Sequence, residues 1–214
     1  MKVKELKQRY QGLKKIITAR LLEFKEKFKK GSEEQILAEM LFCILTPQSK
    51  AKGCWSCMVN IVNDKVLVAG TEQQILARLI YPRFKYKKAK YFVEARDKFK
   101  DKTGKIKIKE HMQAFTNVYE MRDWFWKNIK GYGLKEASHF LRNVGFGEDI
   151  AILDRHILKN LKLMGVIKVV PKSISAKIYH EIELKMKTFA KKVKIPMGAL
   201  DLVLWAKEAG EVFK

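Results

Sequence analysis

The chain has 214 residues, 47% of them hydrophobic, so it can bury a core in one large domain or two small ones and is not a disordered chain. Its 45 Lys and Arg outnumber 23 Asp and Glu, a formal net charge of +22. This excess predicts an anionic partner, with nucleic acid first and an acidic membrane surface second. A thermophile's charged surface is a weaker alternative, because such surfaces usually carry Glu alongside Lys. The sequence shows neither an apolar segment of roughly 20 residues nor a signal peptide, so a cytoplasmic protein is expected.

Apolar residues recur every three or four positions along most of the chain, which predicts an all-α protein. Two segments, 32–35 and 71–74, have the Ser/Thr-x-x-Gln spacing of capping boxes and predict where two of the helices begin. The predicted helices, in chain order, cover residues 6–28, 32–45, a stretch ending near 62, a short segment before Pro82, 84–99, about 114–129, 134–144, 154–164, 175–191 and 197–209.

Three short stretches depart from this helical pattern. Residues 46–49 are predicted as a sharp turn, because Pro47 cannot continue the helical hydrogen bonds. The segment 101–109 contains KIKIK, which alternates like a strand but has no comparable partner, so it is predicted to be a linker or a solitary strand. Residues 166–170 form a second short run of β-like character.

The three cysteines are Cys43, Cys54 and Cys57. An odd number in a cytoplasmic chain argues against a disulfide framework. Cys54 and Cys57 have the C-x-x-C spacing of a redox motif or of half a zinc site. Zinc would need two further ligands and a redox motif would need a βαβ setting, so we expect neither.

The most informative stretch is residues 129–137, IKGYGLKEA. Its two glycines, Gly131 and Gly133, lie between the end of one predicted helix and the start of the next. Glycine permits positive φ angles and close backbone approach, and a helix N-terminus offers N–H groups to an anion. This pattern is typical of a helix-hairpin-helix motif, which binds a DNA phosphate without reading base sequence. A plain glycine cap between two packed helices is the alternative.

Two charged residues next to predicted helix starts are candidates for chemistry. Lys135 lies in the first turn of the helix after the hairpin, where the helix dipole disfavours a cation and so favours a neutral, nucleophilic amine. Asp154 follows the apolar triplet 151–153 and begins a later helix. An ordinary N-cap is its alternative role, and one carboxylate can fill both roles.

At these residues the chain resembles a known superfamily. The stretch KGYGLKEASHFLRNVG at 130–145, followed by AILDRHIL at 151–158, resembles the helix-hairpin-helix DNA glycosylases and is most similar to the archaeal-type branch of 8-oxoguanine DNA glycosylases. Looser similarity extends over nearly the whole chain. The resemblance implies two helical domains with a DNA-binding cleft between them. Residues 35–148 would form a helical barrel ending in the hairpin, and residues 1–34 with 149–214 would form the second domain.

The resemblance also implies a bifunctional DNA glycosylase and abasic-site lyase of base excision repair, acting as a monomer on double-stranded DNA that contains 8-oxoguanine. The damaged nucleotide is flipped out of the duplex, Lys135 attacks its anomeric carbon, Asp154 stabilises the developing positive charge, and β-elimination nicks the strand. No metal or cofactor is required. Some members hold an iron–sulfur cluster on four C-terminal cysteines, which this chain lacks.

Five further positions are candidates by the same resemblance, each with a plainer alternative. Gln48 would fill the hole left by the flipped base, although the branch favours Ala-Asn over this Pro-Gln, and a solvated turn residue is the alternative. Trp205 would stack on the extruded base, and a buried core Trp is its alternative role. The carboxylate of the terminal Lys214 would contact the base, and a frayed terminus is the alternative. Phe84 would supply the second stacking face, or pack in the core. His156 would contact a phosphate, or only begin a helix.

Two other functions remain open from the sequence. A non-catalytic helix-hairpin-helix module could bind DNA for a partner, but such a module needs neither Lys135 nor Asp154. A glycosylase for another lesion, such as an alkylated purine, would share both residues, and only substrate testing separates it from an 8-oxoguanine enzyme.

Overall fold

The computed structural model describes residues 2–213, and within them it contains only helices, turns and one isolated bridge, which confirms the all-α class. No helix in this range combines the length and apolar character needed to cross a membrane. The helices in the described range are α1 (Val3–Lys30), α2 (Glu33–Leu45), α3 (Ala51–Asn63), α4 (Glu72–Arg78), α5 (Lys85–Asp97), α6 (Ile108–Gln113), α7 (Val118–Asn128), α8 (Leu134–Asn143), α9 (Arg155–Leu163), α10 (Ala176–Val193) and α11 (Met197–Ala209).

Local capping groups explain where several helices begin. Ser32 and Thr71 each accept a hydrogen bond from the amide of the Gln three residues later, and each Gln side chain accepts one from the capping residue's own amide. Both predicted capping boxes are therefore confirmed. Ser175 caps α10 through its hydroxyl in a similar way. Helix α11 has the bounds that periodicity predicted.

The structure differs from the sequence-based elements between residues 100 and 118. The helix predicted from about 114 begins later, at Val118, because the side chain of Asn117 accepts a hydrogen bond from the Tyr119 amide and caps α7. The short helix α6, which was not predicted, precedes it. Residues 101–107 form turns and one antiparallel bridge, between Lys100 and Ile106, so this stretch is a linker rather than a strand, and α6 begins within KIKIK at Ile108.

The predicted β-like run at 166–170 was also wrong, because it forms bends rather than a strand. Ile167 is buried, whereas Val169 and Val170 are exposed. In a strand Ile167 and Val169 would share one face, but only Ile167 is buried, so the run lacks the buried face that would favour a strand.

The described backbone divides into two compact units, one formed by Met1–Glu26 with Leu141–Lys214 and the other by Lys27–Phe140. We call the first the terminal unit and the second the central unit. The domains expected from the sequence, 35–148 and 1–34 with 149–214, differ in their bounds from these two units. They stay a prediction.

The central unit is built around helix α2. Every residue of α2 from Ile36 to Leu45 is buried, and α3, α5 and α6 pack against it. The central unit also contains a cluster of rings, in which Phe99, His111 and Trp124 surround Phe125. An internal helix of this kind is a fixed support for the loops attached to it.

The terminal unit packs α9 and α10 against α11, which is buried along most of its length. Gly145, just beyond α8, has a φ of 94°. A Cβ there would lie 2.7 Å from the Cα of Lys25 and 3.0 Å from the carbonyl oxygen of Phe24, so only glycine fits at this approach to α1.

Candidate functional site

The predicted hairpin connects α7 to α8 in the central unit. Gly131 has a φ of 87°, and a Cβ there would lie 2.9 Å from the Tyr91 ring, so the turn requires glycine on both grounds. Between the glycines, the buried Tyr132 donates its hydroxyl hydrogen to the Met40 carbonyl over 2.6 Å. Burial raises the pKa of Tyr132 well above 10.0, so this donor keeps its proton. The hairpin is thus fixed to α2.

Lys135 is the second residue of α8, and 24% of its side chain is exposed. Its Nζ lies 3.6 Å from Oε1 of Glu136, while Oε2 of Glu136 accepts a hydrogen bond from the Gly133 amide at 3.1 Å. The sequence predicted free amides at this hairpin, but the Gly133 amide is engaged by Glu136. A phosphate here would be bound by other amides, and the role of Gly133 in DNA binding stays a prediction.

Cys54 lies near Lys135 and Lys88 in the core of the central unit. Its Sγ donates to the Leu45 carbonyl over 3.2 Å. Burial raises the pKa of Cys54 to about 11, and the positive charges of Lys88 and Lys135 oppose that rise only in part. The thiol therefore stays protonated near neutral pH, unlike the thiolate of a redox C-x-x-C motif. Cys57 is buried on the same helix, α3.

The turn after α2 presents Gln48. Gln48 has a φ of 56°, an uncommon value for a residue other than glycine, and its side chain is exposed. Phe84, which precedes α5, has a φ of 59° and is 56% exposed. Phe84 is therefore not a core residue, and the alternative of core packing is excluded. Lys65 and Lys194 have similar φ values near the ends of α3 and α10, so the exposed side chains of Gln48 and Phe84, rather than their φ values, make them available for contact with a ligand.

Asp154 caps α9 in the terminal unit. Its Oδ1 accepts hydrogen bonds from the amides of His156 and Ile157, both at 2.8 Å. Among residues 2–213 both recorded bonds use the same oxygen, so Oδ2 is left for another partner. The alternative role as an N-cap is confirmed, and the catalytic role of this half-buried carboxylate stays a prediction.

The segment before Asp154 is held by α10. The hydroxyl of Tyr179 donates to the Ala151 carbonyl at 2.6 Å and accepts from the Leu153 amide at 3.4 Å. The carboxylate of Glu183 accepts from the Ala151 amide at 2.7 Å. These long-range bonds satisfy a buried, non-helical backbone, and they fix the point from which Asp154 projects.

A charged network joins α9 to α11. Glu208 accepts hydrogen bonds from Asn160 and Lys159, both at 3.1 Å, and from Lys207 at 3.3 Å. The bond from Asn160, followed by those from the two lysines, lowers the pKa of Glu208 to about 2. His156 lies at the edge of this network, with its Nδ1 3.6 Å from Glu208. The position of His156 is compatible with a phosphate contact, which stays a prediction.

Trp205 lies on α11 and is only partly buried, unlike most residues of that helix. Its ring centroid is 6.5 Å from that of Phe213, with 31° between the ring planes. The alternative of a fully buried core Trp is therefore excluded, while its stacking role stays a prediction. Lys214, which the sequence analysis assigned to base recognition, lies outside the described residues.

Four residues with a clear structural role were not singled out from the sequence: Lys88, Glu136, Tyr179 and Glu208. Glu136 stands three positions after Gly133, which is capping-box spacing, so a local signal did exist. The long-range hydrogen bonds of Tyr179 and Glu208 join residues 26 to 49 positions apart, and no local sequence pattern indicates them.

Comparison with known proteins gives consistent matches. A family model described as 8-oxoguanine DNA glycosylase matches residues 17–195. The chain is 47% identical to the 8-oxoguanine DNA glycosylase/AP lyase of Fusobacterium nucleatum, over 98% of this chain and 96% of that protein. It is 38% identical to the protein of the same name from Methanocaldococcus jannaschii, over 100% of this chain and 98% of that one.

Solved structures agree with the sequence relatives. The crystal structure of the Thermotoga maritima 8-oxoguanine DNA glycosylase aligns with a TM-score of 0.88 at 33% identity, covering 99% of this chain and 98% of that chain. The Methanocaldococcus jannaschii enzyme, in complex with a 15mer DNA containing 8-oxoguanine, aligns with a TM-score of 0.87 at 35% identity and covers 99% of both chains. The family model covers most of the chain and the relatives match it from end to end, so the chain belongs to the 8-oxoguanine DNA glycosylase family.

Proposed function

We propose that this chain is a bifunctional DNA glycosylase and abasic-site lyase that removes 8-oxoguanine from double-stranded DNA and then cleaves the strand. The observation that carries the proposal is Lys135, which lies in the first turn of α8 directly after the hairpin and is partly accessible. A module that only binds DNA backbone has no need of an amine at this place. The names of the relatives supply the substrate.

The proposed chemistry uses one amine and one carboxylate. The neutral Nζ of Lys135 attacks C1′ of the flipped nucleotide, and the bond from C1′ to the base breaks with its electron pair leaving on the base, which takes up a proton. The free Oδ2 of Asp154 stabilises the positive charge that develops on the sugar. The sugar ring then opens to an imine with Lys135. The imine acidifies the C2′ hydrogen, and removal of that proton expels the 3′ phosphate.

The remaining candidates would bind the DNA and the extruded base. Gln48 would fill the hole in the base stack and Phe84 would offer an aromatic face, which their exposure supports. His156 would contact a phosphate, and Trp205 would stack on the base. The α-carboxylate of Lys214 would accept the hydrogen that 8-oxoguanine carries at ring nitrogen 7. With cellular DNA as the substrate, the enzyme would act in the cytoplasm as a monomer.

The test is borohydride trapping on duplexes that carry 8-oxoguanine, uracil or an abasic site. Wild-type protein should be trapped on the 8-oxoguanine and abasic duplexes, because borohydride reduces the imine to a stable amine. Lys135→Gln should abolish trapping and leave duplex affinity largely intact, since the substitution keeps the hairpin.

Lys127→Gln is a matched control, because Lys127 lies on α7 outside the hairpin, is exposed and pairs with Asp123 at the surface. It should trap like the wild type. Undiminished trapping by Lys135→Gln would move the nucleophile to another residue. Excision of a different lesion in preference to 8-oxoguanine would overturn the substrate and leave the mechanism standing.

A further inference from the structure

Helix α5 carries a buried lysine that the proposed chemistry does not use. Lys88 is only 6% exposed, and its Nζ donates to the carbonyls of Leu45 and Pro47, both at 2.7 Å, and to the hydroxyl of Ser49 at 3.1 Å. A lysine ammonium has three N–H donors, so all are used. Burial lowers the pKa of Lys88. The three bonds and the negative end of the α2 dipole offset the cost of burying this charge.

All three acceptors belong to the end of α2 and the turn that follows it. Ser49 has a second long-range partner, because its hydroxyl oxygen also accepts the amide hydrogen of Arg83 at 2.9 Å. Lys88 and Ser49 therefore connect the turn that contains Gln48 to the backbone just before Phe84. These bonds span 34 to 43 positions along the chain.

The two connected positions are both strained. Gln48 and Phe84 have φ values of 56° and 59°, and residues other than glycine adopt such left-handed conformations uncommonly. Strain of this kind persists only where the surrounding contacts determine the backbone. The bonds made by Lys88 and Ser49 are the polar contacts that join the two segments.

We propose that Lys88 is a positioning residue for base extrusion, which holds the Gln48 turn and, through Ser49, the Phe84 backbone in the conformations that meet DNA. The inference rests on the proposed function, because it takes Gln48 as the residue that fills the stack. Lys88 does not touch the substrate. It acts on the turn, so its loss should weaken what Gln48 does and leave the chemistry at Lys135 unchanged.

The experiment is a double-mutant cycle between Lys88→Met and Gln48→Ala. The first measurement is single-turnover excision from an 8-oxoguanine duplex at saturating enzyme. Each single variant should be slower by about tenfold or more, and the double variant should be no slower than the slower single one, because the second change removes an effect already lost. Ser49→Ala keeps Lys88, removes only a partly exposed hydroxyl, and should show the same coupling with a smaller loss.

The second measurement reports base extrusion without chemistry. In a Lys135→Gln background, 2-aminopurine beside the lesion brightens when the stack opens. Lys88→Met and Ser49→Ala should reduce this signal as Gln48→Ala does, whereas a purely structural lysine would not affect it in a folded protein. Lys90→Met is the matched control, because Lys90 is exposed on the same helix, and it should behave like the wild type.

The outcomes separate the inference from the proposed function. Wild-type protein that fails to excise 8-oxoguanine overturns the function, and an unaffected Gln48→Ala variant overturns the role of Gln48 and this inference with it. If Gln48→Ala is impaired while Ser49→Ala and folded Lys88→Met are not, or if the losses simply add, Lys88 is only a core residue. Coupled losses in both measurements support the proposal.

Discussion

Replacing Asp154 should separate two roles that one carboxylate fills. Asn is as good an N-cap as Asp, and its carbonyl oxygen can take the place of Oδ1 opposite the amides of His156 and Ile157. The amide nitrogen then occupies the place of Oδ2, where the proposed mechanism needs a negative charge. Asp154→Asn should therefore keep most of the cap's contribution to stability and lose the chemistry, whereas Asp154→Ala should lose both the cap and the chemistry.

The magnitudes follow from the two hydrogen bonds at 2.8 Å. Loss of both in Asp154→Ala should cost about 1–2 kcal/mol of unfolding free energy, and Asp154→Asn should cost less than about 1 kcal/mol. For a chain of this length, about 1 kcal/mol corresponds to a Tm change of roughly 2–4 °C. Both variants should slow base release by about 10²–10⁴-fold, because neither restores the charge.

Thermal unfolding and single-turnover excision of 8-oxoguanine, measured on the same preparations, test this prediction. The expected pattern is a Tm that falls further in Asp154→Ala than in Asp154→Asn and a rate of excision that falls in both variants. A folded Asp154→Asn protein with the wild-type rate would refute the reasoning, because Asp154 would then act only as a cap. Equal stability losses in both variants would show that the charge, rather than the acceptor geometry, holds α9.

Three other substitutions test the supports around the site. Tyr179→Phe should lower the free energy of unfolding by about 1–2 kcal/mol in a denaturant titration and slow excision about tenfold, because the hydroxyl holds the segment before Asp154. An excision rate equal to that of the wild type would mean that other contacts hold this segment. Tyr132→Phe should lower the free energy of unfolding by a similar amount and reduce borohydride trapping and excision in proportion, since it removes the hydrogen bond from the hairpin to Met40. An unchanged Tm would show that this hydrogen bond does not stabilise the hairpin. Glu208→Gln should be destabilised by about 1–2 kcal/mol at pH 7. Because the pKa of Glu208 is lowered to about 2, its carboxylate stabilises the fold above about pH 4.5 and loses this effect as the pH falls toward 2. In urea unfolding, the difference in unfolding free energy between the wild type and Glu208→Gln should therefore be smaller at pH 3 than at pH 7. A difference that stayed constant would exclude the ionic network as its source.

Short-range signals predicted the local structure well. The Ser32 and Thr71 capping boxes, the Asp154 cap and the bounds of α11 each depend on residues within one helical turn or on a single periodic stretch. The start of α7 was predicted too early because apolar residues also occur before Asn117. The side chain of Asn117 caps the helix and sets its beginning at Val118. The KIKIK segment alternates like a strand, but only one bridge pairs with it.

The site residues could be predicted only where the neighbouring sequence carries a local signal. Lys135 and Asp154 stand beside glycines and helix starts, so their positions carry a local signal. Lys88 is one lysine among many in a basic helix, and its burial and partners depend on a turn about 40 residues earlier in the chain. A buried lysine and a solvated one look the same in sequence, because the difference lies in tertiary contacts.

Helix α2 has a consequence for how this protein can change over evolution or by design. The hairpin is attached to it at Met40 through Tyr132, and α5 is attached to it at Leu45 through Lys88. A single inserted residue between these attachment points would rotate one about 100° around the helix axis and move it about 1.5 Å along that axis relative to the other. Side chains of similar volume can be exchanged along this segment, but insertions or deletions within it would change the spacing of the two attachment points and should not be tolerated.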